Sequence, residues 1–155
     1  MSKPVSILFV CLGNICRSPL AEGALRAAAA AAGRDLVVDS AGTGDWHVGR
    51  PPDPRAQAVA KAHGVDIAGL RARQVTPDDF RRFTHVYALD PVNFADLAAI
   101  RPADATAELA LLMDVVPGRE GTAVVDPYYG DATGFEITWA DVTTAAARLI
   151  DRLGG

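Results

Sequence analysis

Cys11 and Arg17 are separated by five residues at the end of an apolar run, in Val10-Cys11-Leu12-Gly13-Asn14-Ile15-Cys16-Arg17-Ser18-Pro19. The chemistry that suits this pairing is nucleophilic attack on phosphorus. A thiolate is a strong nucleophile, but a free cysteine titrates at about 8.5 and is mostly protonated at neutral pH. A loop that leaves a strand and enters a helix turns successive backbone N–H groups inward. Those donors, the helix N-terminus and an arginine all favour negative charge. The surroundings that would ionise Cys11 would therefore also hold a phosphate dianion above it, with the amides from Leu12, Gly13, Asn14, Ile15 and Cys16 to Ser18 as donors.

The spacing alone has little specificity; its context supplies the rest. Ser6-Ile7-Leu8-Phe9-Val10 is a short β-rich run, and Ser18 followed by Pro19 reads as an N-cap and a proline at the first helical position. Strand, loop and helix then come in the order a phosphate cradle requires. The competing reading is a buried, inert Cys11 at a strand end with Arg17 on the surface.

The elements that must position these residues are legible as alternating β-rich and helical patterns, which predict an α/β fold. It is an open sheet of about four parallel strands with helices on both faces and the phosphate loop after strand one. A helix is expected from Pro19 to about Ala32, stopped by Gly33, and a second strand at Leu36–Ser40. Asp53-Pro54 opens a helix ending at His63-Gly64, and Thr76-Pro77-Asp78-Asp79 opens a short one. His85–Leu89 reads as strand three, Asp90-Pro91 caps the next helix, and Glu108–Leu112 reads as strand four. Thr133-Gly134-Phe135-Glu136 reads as a capping box for a terminal helix with Ile137, Ala140, Leu149, Ile150 and Leu153 as its apolar stripe.

Composition narrows the class. A chain of 155 residues, 50% apolar, fits one domain spanning residues 1–155. A net charge of −4 gives no support for nucleic-acid or anionic-membrane binding, so attraction for phosphate must be local. There is no apolar segment of spanning length and no signal-peptide pattern at Met1-Ser2-Lys3-Pro4, which makes a cytoplasmic protein the expectation. The two cysteines, close together in one loop, form no disulfide framework and suit a reducing compartment. His47, His63 and His85 form no ligand cluster, and no metal or cofactor is expected; His63 before Gly64 reads as a helix C-terminal residue favoured by the dipole.

A thiolate displacing an aryl oxygen needs an acid to protonate the leaving group. Asp53, Asp90 and Asp126 each precede proline. The first two are followed by helical patterns and read as N-caps. Asp126 lies between Val124-Val125 and Tyr128-Tyr129-Gly130-Asp131 without helical periodicity, so it belongs to a loop. General acid and turn-forming aspartate are both open readings for it. Trp46, Tyr128 and Tyr129 could wall a deep aromatic pocket, though Trp46 also fits a core position.

Cys11 to Pro19 with Leu20-Ala21-Glu22, then Asp39-Ser40-Ala41-Gly42-Thr43-Gly44-Asp45-Trp46-His47-Val48-Gly49, then Asp126-Pro127-Tyr128-Tyr129-Gly130 resemble, in order, segments of the low-molecular-weight protein-tyrosine phosphatases. The resemblance implies hydrolysis of phosphotyrosine through a phosphocysteine on Cys11. Arg17 and the loop amides would bind phosphate and Asp126 would act as general acid and then base. It also implies that Ser18 steadies the thiolate and that Asn14 and Ser40 hold the loop. The partner would be a tyrosine-phosphorylated protein such as a cognate tyrosine kinase, with Tyr128 and Tyr129 as candidate phosphorylation sites; monomer and weak dimer are both open. Related arginine-phosphate phosphatases carry a smaller, hydroxylated residue where this chain has Ile15, which favours tyrosine. Cys16 is either a small apolar packer or, as the resemblance favours, a redox partner for Cys11. One departure is Leu70, where the family often has a histidine supporting the loop asparagine; another is Leu89 for methionine. Asp90 and Asn93 resemble a flanking segment that supports the site. Two rivals stand beside this reading. A thioredoxin-coupled arsenate reductase would need cysteines after Cys16, which this chain lacks, and a non-catalytic phosphotyrosine-binding module would need neither the thiol nor the acid.

Overall fold

The computed structural model describes residues 4–128 and 130–153. Four strands, β1 (Ser6–Cys11), β2 (Val37–Gly42), β3 (His85–Ala88) and β4 (Glu108–Leu111), form one parallel sheet in the order β2-β1-β3-β4. Strand β1 is central, with Cys11 at its carboxyl end opposite Gly42. The period of two along β1 divides the core. Ile7, Phe9 and Cys11 face α1 (Arg17–Ala31), α2 (Pro54–Ala62) and α5 (Ala132–Leu153). Leu8 and Val10 face the other side, where Phe80 of α3 (Asp79–Arg82) and Leu97 of α4 (Pro91–Ile100) pack. Helices thus cover both faces, as expected of an all-parallel sheet. Among the described residues no helix is long and apolar enough to cross a membrane.

Most helix ends follow the local chemistry. Asp53 accepts from the Arg55 amide at 2.8 Å and Asp90 from the Asn93 amide at 2.7 Å, each ahead of a proline in the first turn. Helix α1 closes in a Schellman motif at Gly33, the Arg34 amide donating to Ala29 O at 2.8 Å.

Four expectations are corrected. Helix α1 begins at Arg17, with Cys16 rather than Ser18 at the N-cap and no side-chain cap, because the Ser18 hydroxyl is turned toward Cys11 instead. Helix α5 begins one residue before Thr133, and its first amides are met by Asp131 Oδ1, which accepts from Thr133 at 3.0 Å. Its buried face is Phe135, Thr138, Trp139, Val142, Ala145 and Leu149, leaving Ile137 exposed and Ala140 at the surface. With alanine and threonine so frequent in this helix, the larger aromatics decide which face turns inward. Finally, β2 runs on through Ala41 and Gly42, while β3 and β4 stop one residue early, where the chain turns into a helix cap and a 3-10 turn (Leu112–Val115).

Behind the sheet edge, fully buried Asp79 receives Arg73 Nη1 at 3.0 Å and Nη2 at 3.1 Å, and the Thr76 amide at 2.8 Å. Asp79→Ala strands the Thr76 amide and takes two bonds from a partly buried guanidinium that keeps only Asp39, 3.1 Å away. It should cost about 3 kcal/mol, read as a lower urea midpoint with unchanged slope.

Candidate active site

The loop between β1 and α1 bends back over Cys11 so that its donors converge. The Asn14 amide points at Cys11 Sγ at 3.3 Å, and the Ser18 hydroxyl lies 3.0 Å from the same sulfur. The amides of Gly13, Ile15, Cys16, Arg17 and Ser18 meet no protein acceptor among the described residues. Backbone N–H groups left unpaired in a loop beside a thiol are what an anion cradle needs.

The bend is held by Asn14, the one non-glycine with positive φ (58°) among the described residues. Its buried side chain is saturated: Nδ2 donates to Ser18 Oγ at 2.7 Å and to Ser40 Oγ at 3.0 Å, and Oδ1 accepts from the Arg73 amide at 3.0 Å. Leu70, where a supporting histidine was expected by resemblance, is partly buried against the core. The Arg73 backbone supplies the third bond to Asn14. Just beyond β2 the Thr43 and Gly44 amides donate to Cys11 O and Leu12 O, both at 2.9 Å. This closeness requires Gly42: a Cβ there would stand 2.7 Å from Leu12 O.

Arg17 is 4% exposed. Its Nη1 is gripped by Asp90 Oδ2 at 2.7 Å and Val124 O at 3.2 Å, leaving Nη2 3.7 Å from Asp126 Oδ2. Asp90 is therefore both helix cap and arginine anchor; reading it locally finds only the first role. Asp126 lies on a segment tied at the two residues before it. The Val124 amide donates to Leu89 O at 2.8 Å, Val125 O accepts from Thr138 Oγ1 at 2.8 Å, and Asp126 Oδ1 accepts the Tyr128 amide at 3.1 Å.

Cys11, Arg17 and Asp126 meet in a pocket of about 310 Å³ that Ile15, Trp46 and Tyr128 also line. Trp46 is 70% exposed, so it is a wall and not a core residue. Its ring lies against Gly44, where a Cβ would fall 1.9 Å from Trp46 Cζ3. Tyr128 is 37% exposed; Tyr129 lies outside the described residues. Cys16, also in the loop, is buried in the core, and its thiol is pushed far above the ordinary value by burial first, then by the negative charges of Asp53, Cys11 and Asp126.

Glu22 was not singled out from the sequence as a site residue. It is 2% exposed and accepts the Ser40 hydroxyl at 2.7 Å and Arg26 Nε at 2.9 Å, so a hydrogen-bonded chain runs Glu22–Ser40–Asn14–Ser18–Cys11. The available signal was its register: a glutamate on the same helical face as Ser18, Leu25 and Ala29, all of them buried. Burial raises the Glu22 carboxyl above its ordinary value of 4.5, against the hydrogen bonds from Ser40 and Arg26 and the Arg26 charge. A carboxyl raised in the fold stabilises it fully below the unfolded pKa and loses that contribution as pH rises through the folded one. Glu22→Gln cannot ionise, so in urea titrations its stability relative to the parent should rise as the pH is raised above the ordinary carboxylate range. A difference that stays flat would mean that the carboxyl titrates as in the unfolded chain.

Comparison with known proteins agrees with this geometry. The family model described as low molecular weight phosphotyrosine protein phosphatase matches residues 6–154. A low molecular weight phosphotyrosine protein phosphatase of Schizosaccharomyces pombe is 40% identical over 138 residues, 87% of this chain and 88% of that protein. The crystal structure of YfkJ from Bacillus subtilis has a TM-score of 0.90 at 36% identity, covering 99% of this chain and 96% of that one. That of DARP, the drosophila arginine phosphatase, has a TM-score of 0.89 at 30% identity, covering 96% and 98%. The chain belongs to the low-molecular-weight phosphotyrosine protein phosphatase family and is a hydrolase.

Proposed function

We propose that the protein hydrolyses phosphotyrosine monoesters on a tyrosine-phosphorylated protein, such as a cognate tyrosine kinase, in two displacements. Cys11 Sγ attacks phosphorus, while Arg17 and the loop amides carry the charge on the equatorial oxygens. Asp126 gives its proton to the departing phenol and then, ionised, takes one from the water that hydrolyses the phosphocysteine. The observation that carries this reading is the convergence of Cys11, Arg17 and Asp126 on one pocket with Trp46 and Tyr128 as aromatic walls. A phosphotyrosine ring fills such a pocket and reaches the sulfur, whereas a phosphoserine is too short.

The likeness to an arginine phosphatase makes phosphoarginine the second reading, and Ile15 speaks against it: an apolar branched side chain in the pocket wall gives a guanidinium no acceptor. An arsenate-reductase cycle finds no resolving cysteine beyond Cys16 in this sequence. Phosphate release from matched phosphotyrosine, phosphoserine and phosphoarginine peptides tests these readings together. Turnover should be confined to phosphotyrosine, vanish in Cys11→Ser and fall about 100- to 1,000-fold in Asp126→Ala. A preference for phosphoarginine would overturn the substrate assignment, and a folded, reduced protein without turnover would point to a binding module.

In this reading Cys16 protects the nucleophile. Peroxide converts the Cys11 thiolate to a sulfenic acid, and the Cys16 thiol then condenses with it, releasing water and forming a disulfide that a dithiol can reduce. A thiol that stays protonated in the resting state leaves phosphoryl transfer to Cys11. After peroxide and then reductant, the parent should regain most of its activity and Cys16→Ser much less; equal recovery would leave Cys16 as a core packer.

A further inference from the structure

The pocket over Cys11 opens into two grooves that share Trp46 as a wall. The first runs along Pro51, Pro52 and Pro54 to Arg50 and Gln57, and also borrows His47 and Tyr128 from the pocket. The second continues from Leu12 and Thr43 past Pro77 to Asp96 and Ile100. A peptide whose phosphotyrosine occupies the pocket must lay its neighbouring residues along these openings.

The charges that line the grooves differ in what they have left to offer. In the first, both Asp53 oxygens are taken by Arg55, at 3.0 and 2.9 Å, and Arg55 also donates to Tyr128 O at 2.9 Å. Gln57 Nε2 is committed to Pro52 O at 2.8 Å. The Arg50 backbone is pinned, its amide donating to His47 O at 2.8 Å and its carbonyl accepting from Ala72 at 2.9 Å. Its exposed guanidinium has no acceptor among the described residues. The prolines beside it bring no N–H of their own, and of the charged groups lining this groove the guanidinium is the one with no partner among the described residues. In the second groove the exposed Asp96 carboxylate has no donor among the described residues, and its walls include half-exposed Leu12 and Ile100. One opening thus ends in an available cation and the other in an available anion.

We propose that the two grooves read the residues flanking the phosphotyrosine, Arg50 holding an acidic side chain on one flank and Asp96 a basic one on the other. The substrate class is then a phosphotyrosine segment with opposite charges on its two sides, bound in one direction. This inference rests on the phosphotyrosine reading above. Exposed ion pairs are weak and screened by salt, so each contact should change kcat/KM by about two- to five-fold, through KM.

The test uses two phosphotyrosine peptides of identical composition, one with glutamates before and lysines after the phosphotyrosine, the other reversed. Each kcat/KM is referred to that of 4-nitrophenyl phosphate, which is too small to reach either groove. The parent should prefer one isomer about four- to twenty-five-fold, less at high salt; Arg50→Glu and Asp96→Lys should each reduce the preference, and the double variant should invert it. Equal turnover of the isomers, or a preference that neither substitution changes, overturns the flank reading while leaving phosphotyrosine hydrolysis intact. Failure to hydrolyse either peptide while 4-nitrophenyl phosphate is turned over overturns both.

Discussion

A loop that aims its amides at a ligand cannot use them to hold itself, and this constraint organises the molecule. Backbone donors left unpaired by the protein must be compensated by other means of fixing the bend. Here the means is one side chain: Asn14, in a left-handed conformation, bonded to Ser18, Ser40 and the Arg73 amide. Each partner is immobilised by a different element. Ser18 is in the first turn of α1, Ser40 in β2, and Arg73 is clamped by Asp79 at the start of α3. The sheet order places β2 directly beside β1, so this support arrives from the adjacent strand.

The site divides by burial. Cys11, Asn14, Ser18 and Ser40, joined by hydrogen bonds, and Arg17, held by Asp90 and Val124, are nearly inaccessible, whereas Trp46, Tyr128 and Asp126 are substantially exposed. On the function proposed, the first group fixes where a phosphate sits and the second what it is attached to. A change among the buried residues disturbs folding and chemistry together, while a change in the walls leaves the core untouched.

What the sequence disclosed follows the range of the interactions involved. Strand β1, its loop and the caps at Asp53 and Asp90 are local patterns, and they stand where expected. Ser18 has two readings, a helix cap from its residue type and a support for the thiolate from the resemblance, because the residue types that cap helices also hydrogen-bond a sulfur; the fold turns it to Cys11. The grip of Asp90 on Arg17 spans 73 positions and that of Arg73 on Asn14 spans 59, and nothing in periodicity encodes either. Helix α5 exposes the limit of a stripe argument: with small residues on several faces, Ile137 is as plausible a core residue as Phe135 until the neighbouring surface is known.

The acid-bearing segment has a consequence in time. Lids that carry catalytic groups into place close over microseconds to milliseconds, and their opening sets the pace of many enzymes. The segment here is tied to the end of β3 through Val124, to α5 through Val125 and to buried Arg17 through the Val124 carbonyl. On the mechanism proposed, Asp126 is already in position when substrate arrives. No closing motion is then needed to bring the acid to the phosphate.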